Sequence, residues 1–75
     1  MDTFEKVRST VSHLLEIGED GIYSETSFDE IGADSIDLVD LAVELEEEFS
    51  ISIPDEEFEN IKTVGDLVEL IDSLV

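Results

Sequence analysis

The sequence predicts an all-α fold: an antiparallel helical bundle of three main helices plus one short helix, with a long loop between the first and second helices. Three observations lead to it. Apolar residues recur at helical spacing in three stretches, over 4–15, 38–49 and 64–75. Each stretch opens on a residue that can cap a helix, namely Asp2, Asp34 and Thr63. The one alternating run, Ser50-Ile51-Ser52-Ile53, has no second strand pattern to pair with. Helices that each carry one apolar face bury those faces by packing together. Residues 1–75 are expected to form a single domain. A chain of this length buries only about 60% of the surface its unfolded form exposes, so its stability should be modest.

The first helix is expected over 3–16, with Phe4, Val7, Val11, Leu14 and Leu15 as its apolar stripe. Asp2 can cap it, and Glu5 follows three positions on. His13 lies off the stripe and has no neighbours at metal-ligand spacing, so it reads as a solvent-facing residue. Residues 17–34 form the long connection, broken by Gly18, Gly21, Ser24, Ser27 and Gly32. Ile17, Ile22, Phe28 and Ile31 are spread along it, which pins the loop to the core. Pro54 presets a short third helix over about 55–60, whose head carries Asp55, Glu56 and Glu57. Phe58 and Ile61 should point inward. Thr63-Val64-Gly65-Asp66 reads as a capping box, and Val64, Leu67, Val68, Ile71, Leu74 and Val75 give the last helix its apolar face.

The second helix carries more than a core face. Asp34 is its expected N-cap, with Asp37 in the first turn. At ~100° per residue, Leu38, Leu41, Ala42, Leu45 and Phe49 share a face about 100° wide. Ile36, Val39 and Val43 make a second stripe, roughly opposite the first. Asp37, Asp40, Glu44, Glu47 and Glu48 lie beside that stripe. A small monomer has no second core, so an apolar stripe bordered by carboxylates predicts a surface that meets a partner. Scattered surface hydrophobes without a role are the competing explanation.

Composition removes several function classes. Against 22 acidic residues the chain has only Lys6, Arg8 and Lys62, a formal net charge of −19. Such a surface repels nucleic-acid phosphates and anionic membranes. It favours basic protein partners reached by steered encounter, although acidity also serves plain solubility. With no cysteine there are no disulfides or thiolate metal sites. No run approaches a membrane span and no signal peptide is visible, so a cytoplasmic location is expected. A calcium loop starting at Asp29 fails, because Ile31 and Ala33 stand where oxygen ligands are needed and Asp34 where glycine is needed. No metal site is expected. Nucleophilic catalysis by Ser35 lacks a base, since His13 is on another helix, and no Gly-x-Ser-x-Gly elbow exists. As a plain structural residue Ser35 would cap the helix, but that leaves the exposed stripe beside it unexplained.

Gly32-Ala33-Asp34-Ser35-Ile36 at a loop–helix junction resembles the phosphopantetheine attachment motif of acyl carrier proteins, with Ile36 where the family usually has leucine. Leu45-Glu46-Glu47-Glu48-Phe49 resembles the end of the family's second helix. Ile53-Pro54-Asp55-Glu56-Glu57 resembles the approach to its third, and Thr63-Val64-Gly65-Asp66-Leu67 the start of its last. The resemblance implies a protein that catalyses nothing itself. It implies a 4′-phosphopantetheine arm on Ser35, derived from coenzyme A and added by a phosphopantetheinyl transferase, that carries acyl groups as thioesters. A phosphodiester there would sit near free backbone N–H groups and the positive end of the helix dipole.

Partner enzymes with basic surfaces are expected to meet the second helix. By position, Ile36, Val39 and Val43 would be the apolar contacts, with Asp34, Asp37, Asp40, Glu44, Glu47 and Glu48 facing their Lys and Arg. The resemblance also implies shelter for the acyl chain between helices, with Phe28, Leu45, Ile53, Phe58, Ile61 and Leu67 as the matching pocket residues. A monomer working in fatty acid biosynthesis is the expected form. Polyketide, peptidyl and D-alanyl carriers are the alternatives within the family. A cofactor-free acidic interaction module is the alternative outside it.

Overall fold

The computed structural model describes residues 2–75. Four helices follow one another: α1 (Thr3–Leu15), α2 (Ser35–Phe49), α3 (Asp55–Glu59) and α4 (Val64–Leu74). The only pairing of extended backbone among the described residues is a single bridge between Ser27 and Thr63. The expected architecture is therefore present, with the long connection between α1 and α2.

The starts of α1, α2 and α4 are built by their own side chains. Asp2 accepts the Glu5 N–H at 2.8 Å. Asp34 and Asp37 form a full capping box at the head of α2, as do Thr63 and Asp66 at the head of α4. The ends of α1 and α2 are less conventional. Glu16 and Ser50 both sit in the left-handed region, each with φ 56°, where glycine is the usual occupant. The turn at Glu16 stops α1 at Leu15, one residue before the sequence expectation.

One core joins the elements. Val7 and Val11 of α1, Leu41 and Leu45 of α2, and Val64, Leu67 and Ile71 of α4 are fully or almost fully buried. Ile22 and Phe28 enter from the loop and Ile53 from the α2–α3 link. Each such side chain contributes roughly 1.5–3 kcal/mol by leaving water. By contrast, α3 buries no residue completely, so it is the element least anchored to the core.

The loop is stitched to the start of α4. Phe28 N–H donates to Lys62 O, Val64 N–H to Thr26 O, and Gly65 N–H to Ser24 O, at 3.0, 2.9 and 2.8 Å. Thr26 is buried and polar, yet satisfied: its hydroxyl accepts Tyr23 N–H at 2.9 Å and its own N–H donates to Tyr23 O. A 3₁₀ turn at Glu19–Gly21, which periodicity did not reveal, sits earlier in the loop. Further on, Ser27 and Glu30 bond to each other's backbone N–H groups. Gly32 then turns the chain with φ 74° into α2. Ser35 is thus delivered by a loop held at both ends.

Candidate functional site: the head of α2 and the clefts beside α3

Ser35 is the first residue of α2 and is exposed. It is not the cap. Asp34 Oδ1 accepts the N–H groups of both Ile36 and Asp37 at 3.0 Å, and Asp37 Oδ2 accepts the Asp34 N–H at 3.3 Å. Capping is done by the neighbour, which leaves the Ser35 hydroxyl available for chemistry. The same bonds correct one expectation. The N–H groups of Ile36 and Asp37 are already taken by a carboxylate, so they are not a cradle for a phosphodiester.

The second stripe of α2 is exposed: Ile36 at 72%, Val39 at 62% and Val43 at 50%. Asp40, Glu44 and Glu47 are exposed around it. Glu48 is also exposed, but it sits on the α1 side of the wheel, next to Leu41, and its Oε2 accepts a hydrogen bond from the Thr10 hydroxyl of α1. Its carboxylate therefore ties two helices together. Asp34 and Asp37 likewise spend their carboxylates on the capping box. Three of the six acidic positions expected to face partners thus also hold the fold.

Two clefts lie between α2 and α3. One, of about 300 Å³, is lined by Ser35, Leu38, Val39, Phe58, Glu59 and Ile61. The other, of about 380 Å³, is lined by Val39, Ala42, Val43, Glu46, Ile53, Asp55, Phe58 and Glu59. Ile53, Phe58 and Ile61 of the expected pocket line these clefts. Phe28, Leu45 and Leu67 line neither: they are 3%, 0% and 0% exposed, within the core. The flank of α2 takes their place. Val39 and Val43, expected only as partner contacts, are also cleft walls. The helical wheel contained the signal, since Ala42, Glu46, Val39 and Val43 are consecutive on the side of α2 next to the core face. What it lacked was the position of α3 against that side. Glu46 fixes that position in part, its Oε2 accepting the Ile53 N–H at 2.7 Å.

The chemistry fits a phosphopantetheine arm. An exposed primary hydroxyl can take the phosphodiester, and the cleft that begins at that hydroxyl has apolar walls in Leu38, Val39, Phe58 and Ile61. The chain offers no thiol of its own to compete with the arm for an acyl group.

Comparison with known proteins agrees. The family model for the phosphopantetheine attachment site matches residues 5–71. A Mycobacterium tuberculosis protein described as an acyl carrier protein has a similar structure, with a TM-score of 0.88 and 33% identity over 95% of this chain and 96% of its own. The hexanoyl acyl carrier protein of the actinorhodin polyketide synthase from Streptomyces coelicolor gives a TM-score of 0.79 and 27% identity, covering 92% and 85%. An acyl carrier protein from Thermotoga maritima gives 0.68 and 32%, covering 89% and 88%. Members of this family are not enzymes; they hold acyl groups on 4′-phosphopantetheine and pass them among acyl-processing enzymes. By its fold, its match across 5–71 and these likenesses, the chain belongs to the acyl carrier protein family.

Proposed function

We propose that Ser35 is the attachment residue, and that the chain carries the acyl intermediates of fatty acid biosynthesis. The observation that carries this reading is an exposed hydroxyl, released from capping by Asp34, at the mouth of an apolar cleft. In the loading step a Ser35 Oγ–P bond forms and the pyrophosphate bond of coenzyme A breaks. Adenosine bisphosphate leaves, and the hydroxyl proton passes to the transferase. The arm supplies a thiol for acyl transfer. The protein's residues do the rest: Asp34 and Asp37 set the helix start that aims Ser35, and the α2–α3 cleft covers the acyl group.

Partners with basic surfaces, the phosphopantetheinyl transferase and the acyl-processing enzymes, dock on Ile36, Val39 and Val43, with Asp40, Glu44 and Glu47 as the ionic border. Burying three aliphatic side chains gives such a contact its affinity, while the charges speed encounter and set register. The protein acts as a monomer in the cytoplasm. Gly32-Ala33-Asp34-Ser35 supports the fatty acid assignment. Polyketide assembly is the second reading, supported by the likeness to the actinorhodin carrier.

Intact mass after incubation with coenzyme A and a broad-specificity phosphopantetheinyl transferase tests the proposal. The expected result is a gain of one phosphopantetheine by the native chain and none by Ser35→Ala. A folded native chain that gains nothing would sink it. Elongation of the loaded chain by fatty acid, but not polyketide, condensing enzymes would then decide the pathway.

A further inference from the structure

We propose that Phe58 sets the length of acyl chain this carrier shelters, by walling the cleft that opens at Ser35 off from the second cleft. The inference rests on the carrier reading above.

Three residues line both clefts: Val39, Phe58 and Glu59. They form the boundary between them. Glu59 is exposed, and its carboxylate can turn to water. Val39 is a short side chain on α2. Phe58 is half-buried, is the only apolar residue of α3, and is the largest group at the boundary. An acyl chain that the arm folds back into this cleft, between Leu38 and Ile61, meets this ring.

The surroundings beyond the ring differ in chemistry. The second cleft has an apolar floor in Val39, Ala42, Val43 and Ile53, but Glu46, Asp55 and Glu59 stand at it as well. A hydrocarbon end pushed past Phe58 would displace water from these carboxylates, which is unfavourable without a compensating partner. A chain that stops at the ring keeps its terminal methyl among apolar side chains. Steric closure and the change in polarity thus act at the same place.

The test loads the arm on the native chain, Phe58→Ala and Phe58→Leu, then attaches butyryl, hexanoyl, octanoyl, decanoyl and dodecanoyl groups. Two quantities are read: methyl NMR shifts of Val43, Ile53 and Ile61, and the rate of thioester cleavage by hydroxylamine. In the native protein the Ile61 shift should grow with chain length and then stop, Val43 and Ile53 should hold their unacylated shifts throughout, and protection should level off where Ile61 does. In Phe58→Ala the longer chains should move Val43 and Ile53, and protection should keep rising, by up to roughly fourfold for each further methylene buried. Phe58→Leu should fall between the two, and it serves as the comparison if the alanine variant does not fold. Native Val43 and Ile53 shifts that respond to dodecanoyl, or profiles unchanged by either substitution, would overturn the proposal while leaving the carrier reading intact. A folded native chain that accepts no arm ends both.

Discussion

Gly65 shows how one residue's environment can reverse a general preference. In a helix, glycine is worse than alanine by about 1 kcal/mol, so Gly65→Ala in α4 would ordinarily stabilise. Here a Cβ would lie 2.8 Å from the carbonyl oxygen of Ser24, a backbone atom that also accepts the Gly65 N–H. The loop cannot give way without losing that bond. Gly65→Ala should therefore destabilise by roughly 1–3 kcal/mol, measured by urea unfolding, and a stabilised variant would refute the contact. Asp66, its neighbour, makes a pH prediction. Backbone N–H groups of Lys62 and Thr63 donate to its carboxylate at 3.0 and 3.2 Å and hold its pKa below the ordinary 3.8. A carboxyl lowered on folding adds stability at pH above its unfolded value. That stability is lost as pH falls below about 3.8 toward the folded value. Asp66→Asn should be less stable near neutrality, and its stability should fall less steeply below that pH. Acid unfolding followed by circular dichroism would read both effects; parallel curves would argue against the Asp66 contribution.

At the scale of the element, α2 has a strong start and a strained end. Its N-terminus is closed by two carboxylates, but its C-terminus turns at Ser50 with φ 56°. The left-handed region costs a residue with a Cβ roughly 1–2 kcal/mol relative to glycine. Ser50→Gly removes that cost, offset in part by the greater freedom of the unfolded chain. A net gain of about 1 kcal/mol is expected, visible as a higher melting temperature without change in phosphopantetheine loading. Loss of stability on this substitution would mean that the turn is not strained. The faces of α2 also divide labour. Leu41 and Leu45 hold the core, Glu48 binds α1 through Thr10, Val39 and Val43 border the clefts, and Ile36 stands free. Short α3 has no side-chain cap at its N-terminus and no fully buried residue, so it is the wall of the clefts that can move most easily.

For the whole molecule, charge dominates. With 22 acidic residues against three basic ones, the folded state concentrates like charges in a small volume. Lys6 lies over the Phe49 ring and Arg8 over the Phe4 ring, while Arg8 Nε is 3.4 Å from Glu19 Oε1. These surface contacts of the α1 cations do little to offset the excess, since exposed ion pairs contribute at most about 1 kcal/mol. Added salt shortens the reach of the repulsion to ~8 Å at physiological ionic strength. Monovalent salt and, at lower concentration, divalent cations should both raise the melting temperature. A melting temperature insensitive to both would show that the carboxylates are spaced widely enough not to matter.

Helix order, caps and the exposed stripe were legible in the sequence because each is local. Apolar spacing in α1, α2 and α4 assigns their inner faces, and Asp34, Thr63 and Pro54 mark where helices begin, whatever the rest of the chain does. Ser35 was legible through its motif, because Gly32-Ala33-Asp34-Ser35-Ile36 at a loop–helix junction resembles the attachment motif of acyl carrier proteins. The depth of Phe28, Leu45 and Leu67, the wall formed by Val39 and Phe58, and the contact of Gly65 with Ser24 were not. Each depends on how one element sits against another, and periodicity gives a helix its face but not its partner's distance. The sequence by itself determined which side chains are apolar and on which side of each helix they lie. Only tertiary packing decided which of them fill the core and which are left to line a cleft.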